Sequence, residues 1–205
     1  MASAAEAAGE LAAALAEVAA RLRPAPPGEG PDAPPPGEGG APGGRRRPAP
    51  PPTRRPAPLP GGLHDDSVEA AEHLVRLPRA ALLVDGYNAS MATWPDLDLV
   101  AQRRRLVAAL TELEARCGPE VVVVFDGVDD GSAHPARPAR RVRVEFTPGA
   151  VEADDVLIAR AASLPAGRPV VVVSDDHRVR DGARAAGANL VGTAQLQALI
   201  GRSRR

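Results

Sequence analysis

Three apolar runs, each closed by acidic residues, constrain this chain more than any other feature. Ala81-Leu82-Leu83-Val84 leads into Asp85, Val121-Val122-Val123-Val124-Phe125 into Asp126, and Val170-Val171-Val172-Val173-Ser174 into Asp175-Asp176. Short apolar runs between Gly and Pro punctuation, rich in Val, read as strands buried on both faces. Helical patterns separate them, and strands alternating with helices imply a parallel α/β sheet with right-handed crossovers. Ligands bind such sheets outside the carboxyl ends of the strands, which is the edge where all three acidic positions emerge.

The remaining elements follow from caps and breakers. Asp65, Asp66 and Ser67 offer N-caps to a helix reaching about Leu77, stopped by Pro78. A loop holding Asn88, Trp94 and Pro95 is predicted after the first strand, and either Asp96 or Asp98 caps a long helix to Cys117. Leu99, Leu106, Leu110 and Leu113 form the apolar stripe of that helix, and Gly118-Pro119 ends it. Residues 128–140 read as a loop. Arg141-Val142-Arg143-Val144-Glu145-Phe146 alternates charged and apolar side chains, the mark of a half-exposed edge strand. Helices over 152–164, 177–186 and 193–200 and a short strand over 189–191 complete a domain spanning 63–205.

Two segments precede it. Residues 1–22 have high helix propensity, with Leu11, Leu15, Val18 and Leu22 in a thin stripe. A self-association or docking helix and a fraying Ala-rich tail both fit. Residues 23–62 consist of Pro, Gly, Ala and Arg with almost no large apolar side chains, so a disordered linker is predicted. Its Arg45-Arg46-Arg47 and Arg54-Arg55 clusters suit either a non-specific RNA or ribosome tether or a merely solvated linker.

Composition removes several classes of function. Aromatic residues make only 2% of the chain, so the core must be built from Val, Leu, Ile and Ala. The formal net charge of −1 supplies no global basic field. No Lys is present, which excludes a catalytic or phosphate-binding Lys. The one cysteine, Cys117, forms no intramolecular disulfide or cysteine metal cluster and reads as a packing residue. No basic region precedes the N-terminal apolar stretch, and no apolar run reaches membrane-spanning length. A cytoplasmic protein without a membrane partner is expected.

The strand-end acids, joined by Glu152, Asp154 and Asp155 in a first helical turn, ask for a common explanation. Like charges at close quarters raise one another's pKa or hold a cation. Oxygen-only ligands suit Mg²⁺ or Mn²⁺, which activate water and stabilise attacking and leaving oxygens at a phosphodiester. Simpler roles compete for individual members: first-turn acids complement the helix dipole, and Asp before Gly serves turns. Asp129 and Asp130 belong with such turn residues, His64, His73 and His134 with the surface, and His177 with a helix cap more readily than with a phosphate. Other acidic α/β sites fit poorly. A haloacid-dehalogenase-like phosphatase needs Asp where Tyr87 stands, a receiver domain needs a Lys, and Gly-rich nucleotide loops are missing. The set points toward a metal-dependent nuclease.

Leu83-Val84-Asp85-Gly86-Tyr87-Asn88 followed by Trp94-Pro95 resembles the opening of the YacP-like NYN domains, PIN-like ribonucleases. Val123-Val124-Phe125-Asp126, Val144-Glu145-Phe146-Thr147, Glu152-Ala153-Asp154-Asp155 and Val173-Ser174-Asp175 resemble that family's later blocks in the same order. The resemblance runs from Ala80 to Ile200. It implies a PIN-like Rossmannoid three-layer fold with a mostly parallel sheet, divalent-metal-dependent endoribonuclease activity, and association with ribosome-bound RNA. Carried over by position, Asp85 would be the first metal ligand, Asn88 would orient the ligand shell or a phosphate, and Asp126 would be a second carboxylate. Asp154 matches the Ala-Asp step of YacP-like proteins and Asp155 the wider PIN pattern; Asp175 follows Ser as in YacP-like proteins, whereas Asp176 gives the Ser-x-Asp of other NYN domains. Asp154 and Asp175 are taken as primary. Arg137, Arg140, Arg141, Arg143, Arg178 and Arg180 would neutralise phosphates flanking the acids. Tyr87 and Trp94 are the only sizeable rings expected nearby, with Trp94 placed in the core. A non-catalytic RNA-binding NYN module is the alternative reading.

Overall fold

The computed structural model describes residues 53–128, 131, 141–147 and 152–202. The helix expected over 2–22, the Arg45-Arg46-Arg47 cluster and most of the linker, with His134, Arg137 and Arg140, lie outside these described residues. Along the chain come α1 (Val68–Val75), β1 (Ala81–Asp85), α2 (Gly86–Thr93), α3 (Leu99–Cys117), β2 (Glu120–Asp126) and β3 (Val142–Thr147). α4 (Ala153–Ser163), β4 (Val170–Val173), α5 (His177–Ala185), β5 (Asn189–Val191) and α6 (Thr193–Gly201) follow.

The strands form one sheet in the order β3-β2-β1-β4-β5, with every neighbouring pair parallel. The Val-rich runs are continuous because helices cover both faces. Leu82, Val84, Val121, Val123, Phe125, Val171 and Val173 pack toward side chains of α1, α3 and α6. Their neighbours Ala81, Leu83, Val122, Val124, Val170 and Val172 pack toward Leu157 and Ala161 of α4 and Val179 and Ala183 of α5. Strand period of two thus feeds two separate cores, giving the three-layer arrangement. Each fully buried Leu or Val contributes about 1.5–3 kcal/mol. Among the described residues, no helix is long and apolar enough to cross a membrane.

Three local expectations change. The loop predicted after β1 is instead α2, which starts at once because Asp85 itself is its N-cap. In α3, Leu106, Leu110 and Leu113 are buried as expected, but Leu99 is 46% exposed. Polar side chains hold the inner face at that end: Gln102 donates to the Trp94 and Leu97 carbonyls, both at 3.0 Å, and Arg103 donates to the Tyr87 hydroxyl. Asp176, not His177, caps α5.

The domain also starts earlier than its composition suggests. The Arg54 guanidinium donates to the carbonyls of Ala161 and Leu164 at the end of α4 and of Ala186 just past α5. A cation is favoured at helix C-termini, where carbonyls lack partners and the dipole is negative. Ala57 then exchanges hydrogen bonds with the Asn189 amide, at 2.8 and 2.9 Å, and Ala57 and Leu59 pack on the first core. Gly187, at φ +73°, lies where any Cβ would strike the Arg54 backbone. The predicted linker therefore ends before Arg54. Its last residues act through main chain and one guanidinium, which no hydrophobic periodicity reveals. Arg54→Ala in the full chain is expected to lower unfolding free energy by about 2 kcal/mol, as for a hydrogen-bonded charged group. A denaturation midpoint equal to wild type would return this segment to the linker.

Candidate active site

Strand order places the centre of the site. The chain runs outward from β1 through β2 to β3, then returns to β4 on the other side of β1. The carboxyl ends of β1 and β4 therefore form the topological switch point, the crevice where open α/β sheets bind ligands. Asp85 ends β1 there and is only 8% exposed. Its Oδ1 accepts from the Asn88 backbone N–H at 3.1 Å as the cap of α2, and its Oδ2 accepts from the Ser174 hydroxyl at 3.0 Å. Burial pushes the Asp85 carboxyl up to about 6; the two hydrogen bonds oppose that shift, and the charges of Asp154 and Asp126 add to it.

The other acids divide into two groups. Asp126 ends β2, and its Oδ1 accepts from the Thr147 hydroxyl at 3.1 Å and the Ala153 N–H at 2.8 Å, tying β2 to β3 and to the start of α4. Asp154, in the first turn of α4, has its carboxyl raised by burial, then by Asp176, with Asp126 and Glu152 adding and Arg178 opposing. Asp176 caps α5 through Oδ1 alone, accepting from Arg178 N–H at 2.7 Å and Val179 N–H at 3.2 Å. Asp85, Asp126, Asp154 and Asp176 thus share one electrostatic neighbourhood. Asp155 and Asp175 are turned elsewhere. Asp155 and Glu152 pair with the Arg178 guanidinium, which also lies 3.6 Å from Asp154. Asp175, taken from sequence as the primary last acid, accepts instead from the Thr193 N–H and hydroxyl at the start of α6.

Several predicted roles move with this geometry. Asn88 spans the switch point: its side-chain Oδ1 accepts from the Asp175 N–H at 2.9 Å, so it clamps the start of α2, directly after β1, to the end of β4. Arg178 lies at the acids but is engaged by three of them. Arg180 donates to the Ser174 carbonyl at 3.0 Å. Arg141 and Arg143 do not flank the acids. In register, Val142 pairs with Val121 and Thr147 with Asp126, so both arginines sit at the opposite, amino-terminal edge of the sheet. The Tyr87 ring packs inward on its neighbours, with Phe125 edge-on at 5.2 Å and the Arg103 guanidinium 5.4 Å from its centroid. Trp94 packs against the first core, as expected. Two site residues were missed, Ser174 and Thr147. Each is a hydroxyl at the carboxyl end of a strand, and that position is the signal that could have found them.

Among the described residues, no three His, Cys, Asp or Glu side chains close into a metal-ligand set. The donor chemistry still fits a hard divalent ion. Burial is the main cause that raises the Asp85 and Asp154 carboxyls, and neighbouring carboxylates add to it, a cost that a bound cation relieves. Mg²⁺ commonly keeps several waters and takes only one or two carboxylates directly, so a wide oxygen-lined group suits it better than a tight cage.

The sequence profile of the YacP-like NYN domain matches residues 82–205. The crystal structure of Rae1 (YacP) from Bacillus subtilis is similar, with a TM-score of 0.52 and 27% identity over 61% of this chain and 75% of that one. A crystal structure of a single-substitution mutant of the same protein matches with a TM-score of 0.51 and 27% identity, over 62% of this chain and 77% of that one. No curated protein sequence matches.

Proposed function

The chain belongs to the YacP-like NYN domain family, a PIN-like nuclease-type domain, and from that premise we propose that it is a divalent-metal-dependent endoribonuclease. The observation that carries this reading is Asp85: a carboxylate buried at the switch point, with both oxygens held and two further acids nearby, and no cation among the described residues paired with it. Asp85, Asp126, Asp154 and Asp176 would hold the ion, Mg²⁺ or Mn²⁺. When bound, such an ion activates water and stabilises the oxygens that exchange at phosphorus. The protein's own part is positioning. Ser174 and Asn88 fix the Asp85 carboxylate, and Thr147 with the Ala153 N–H fixes Asp126. Asp155 and Asp175 are assigned to structure, through Arg178 and Thr193. RNA, including ribosome-associated RNA, is the proposed substrate, encountered in the cytoplasm. Self-association through the N-terminal segment belongs to the same proposal.

A second reading, an RNA-binding module without catalysis, is favoured by one observation. Arg178 already neutralises Glu152, Asp154 and Asp155, as a resident cation would. Incubation of the full chain with end-labelled single-stranded RNA, in Mg²⁺, Mn²⁺ or EDTA, separates the two. Internal cleavage with either ion and none in EDTA is expected. RNA retained but intact with every divalent ion would establish the binding module instead.

A further inference from the structure

At the sheet edge opposite the acids, Arg79, Arg141, Arg143 and Arg168 line a cleft of about 570 Å³ with Ala80, Val142 and, among the described residues, a single acid, Glu120. We propose that this cleft binds the phosphodiester backbone of single-stranded RNA, at a segment distinct from the one lying over the acids. The choice of ligand rests on the RNA-cleaving reading; the cleft itself does not.

The charge is local and uneven. Among the described residues, four guanidinium groups against one carboxylate leave a formal excess of three positive charges, in a chain whose total is −1. Glu120 is matched by Arg168, which donates to it at 2.7 Å, and the hydrogen bond from Arg168 is the main reason its carboxyl lies below the usual range, with the charges of Arg143 and Arg141 adding. The other three arginines are weakly held. Arg141 reaches the Gly118 carbonyl at 3.3 Å. Arg143 is 63% exposed and 4.0 Å from Glu145. Arg79 is exposed. Forked donors with spare hydrogen-bonding capacity, mounted on a cleft wall, match phosphate oxygens without reading bases.

The backbone under Arg79 supplies an independent observation. The Ala80 N–H closes a turn on the Leu77 carbonyl at 3.0 Å, with Pro78 second and Arg79 third at φ 61°, the one non-Gly residue with positive φ among the described residues. Gly is preferred at such a position, and an L-residue there costs roughly 1–2 kcal/mol. Arg168 braces the turn by donating to the Arg79 carbonyl at 2.9 Å. A strained arginine, held by a second arginine at the mouth of a basic cleft, is explained by a need for its charge. β2 runs from Glu120 at the cleft to Asp126 at the acids, a rise of about 20 Å at ~3.3 Å per residue. RNA gripped here is therefore several nucleotides from the phosphate at Asp85.

The test is fluorescence anisotropy of the full chain with labelled single-stranded RNA, in EDTA, between about 50 and 200 mM salt. The triple variant Arg79→Gly, Arg141→Gln, Arg143→Gln should bind more weakly, with the slope of log K on log salt shallower by about 2, because each single-strand phosphate contact contributes roughly 0.7. Arg79→Gly alone should flatten the slope by about 0.7 while thermal stability holds or rises, since it relieves the turn. A folded triple variant with the wild-type slope would overturn the proposal. So would displacement of RNA by polyglutamate as readily as by unlabelled RNA, which would make the cleft a dock for acidic protein. Because binding is read without metal, a protein that binds through the cleft but never cuts removes only the nuclease reading. A protein that cuts while its variants keep the wild-type slope removes only the cleft.

Discussion

Asp85→Asn is expected to reduce RNA cleavage at least about 100-fold, beyond the roughly 10- to 100-fold loss when a partner behind a metal ligand is removed. The protein should remain folded. Asn caps helices as well as Asp does, so its Oδ1 can still accept from the Asn88 N–H, while its amide donates to the Ser174 oxygen. Stability separates loss of a functional charge from loss of structure. The Asp85 carboxyl is raised from 3.8 to about 6, chiefly by burial. The folded state therefore holds the proton more tightly than the unfolded chain. The stability this adds is fully present below about pH 4 and is lost as pH rises through about 6. That difference corresponds to roughly 3 kcal/mol. In metal-free buffer, Asp85→Asn should then exceed wild type by up to about 3 kcal/mol at pH 7–8 and by little near pH 4. Added Mg²⁺ or Mn²⁺ should stabilise wild type and leave the variant unmoved, because only the state that binds the ion gains from it. A stability gap that does not change with pH would show that the Asp85 charge is not uncompensated. Full cleavage by the variant would sink the site assignment.

Gly86→Ala is expected to be the most damaging single methyl group at the site. A Cβ at Gly86 would strike the edge of the Phe125 ring and lie 2.7 Å from the Val124 carbonyl oxygen. Neither can yield cheaply. Phe125 is fully buried between Tyr87 and Phe146, and the Val124 carbonyl belongs to a central strand. Overpacking of this kind costs about 1–3 kcal/mol, sometimes more. The displacement would also fall on the residue next to Asp85, so cleavage should drop with stability. Gly61→Ala is the control, since nothing lies within 4 Å of a Cβ there, and it should stay within about 1 kcal/mol of wild type. Equal denaturation midpoints for the two variants would mean that α2 can move away from β2 without loss.

Much of this was legible because strands buried on both faces leave little choice of sequence. The runs ending at Asp85, Asp126 and Ser174 are almost wholly Val, Leu and Ala, and all became parallel strands with their carboxyl ends at one edge. The Asp98 cap and the left-handed Gly118 at φ 81° bound α3 as the local chemistry requires. The alternating segment from Val142 to Thr147 became the edge strand beside β2. Membership of one family followed from blocks read in order along these same strands.

Position along a strand also carried information that residue type concealed. Arg141 and Arg143 flank Val142, the first residue of β3, and in an all-parallel sheet the start of a strand lies a strand's length from its end. Their nearness in sequence to the loop after β2 suggested the acidic edge, and the sheet direction placed them at the other. Local sequence determined which residues would be strands, which acids would stand at their ends, and where the long helix starts and stops, because burial, capping and turn formation act over a few residues. Tertiary structure decided the rest. Asp175 turned to Thr193, Asp176 stayed near Asp154, Arg178 bridged three acids, and Arg54 reached the carbonyls of two helix ends. Those outcomes depend on partners dozens of residues away, whose distances and directions exist only once the sheet and its helices have packed.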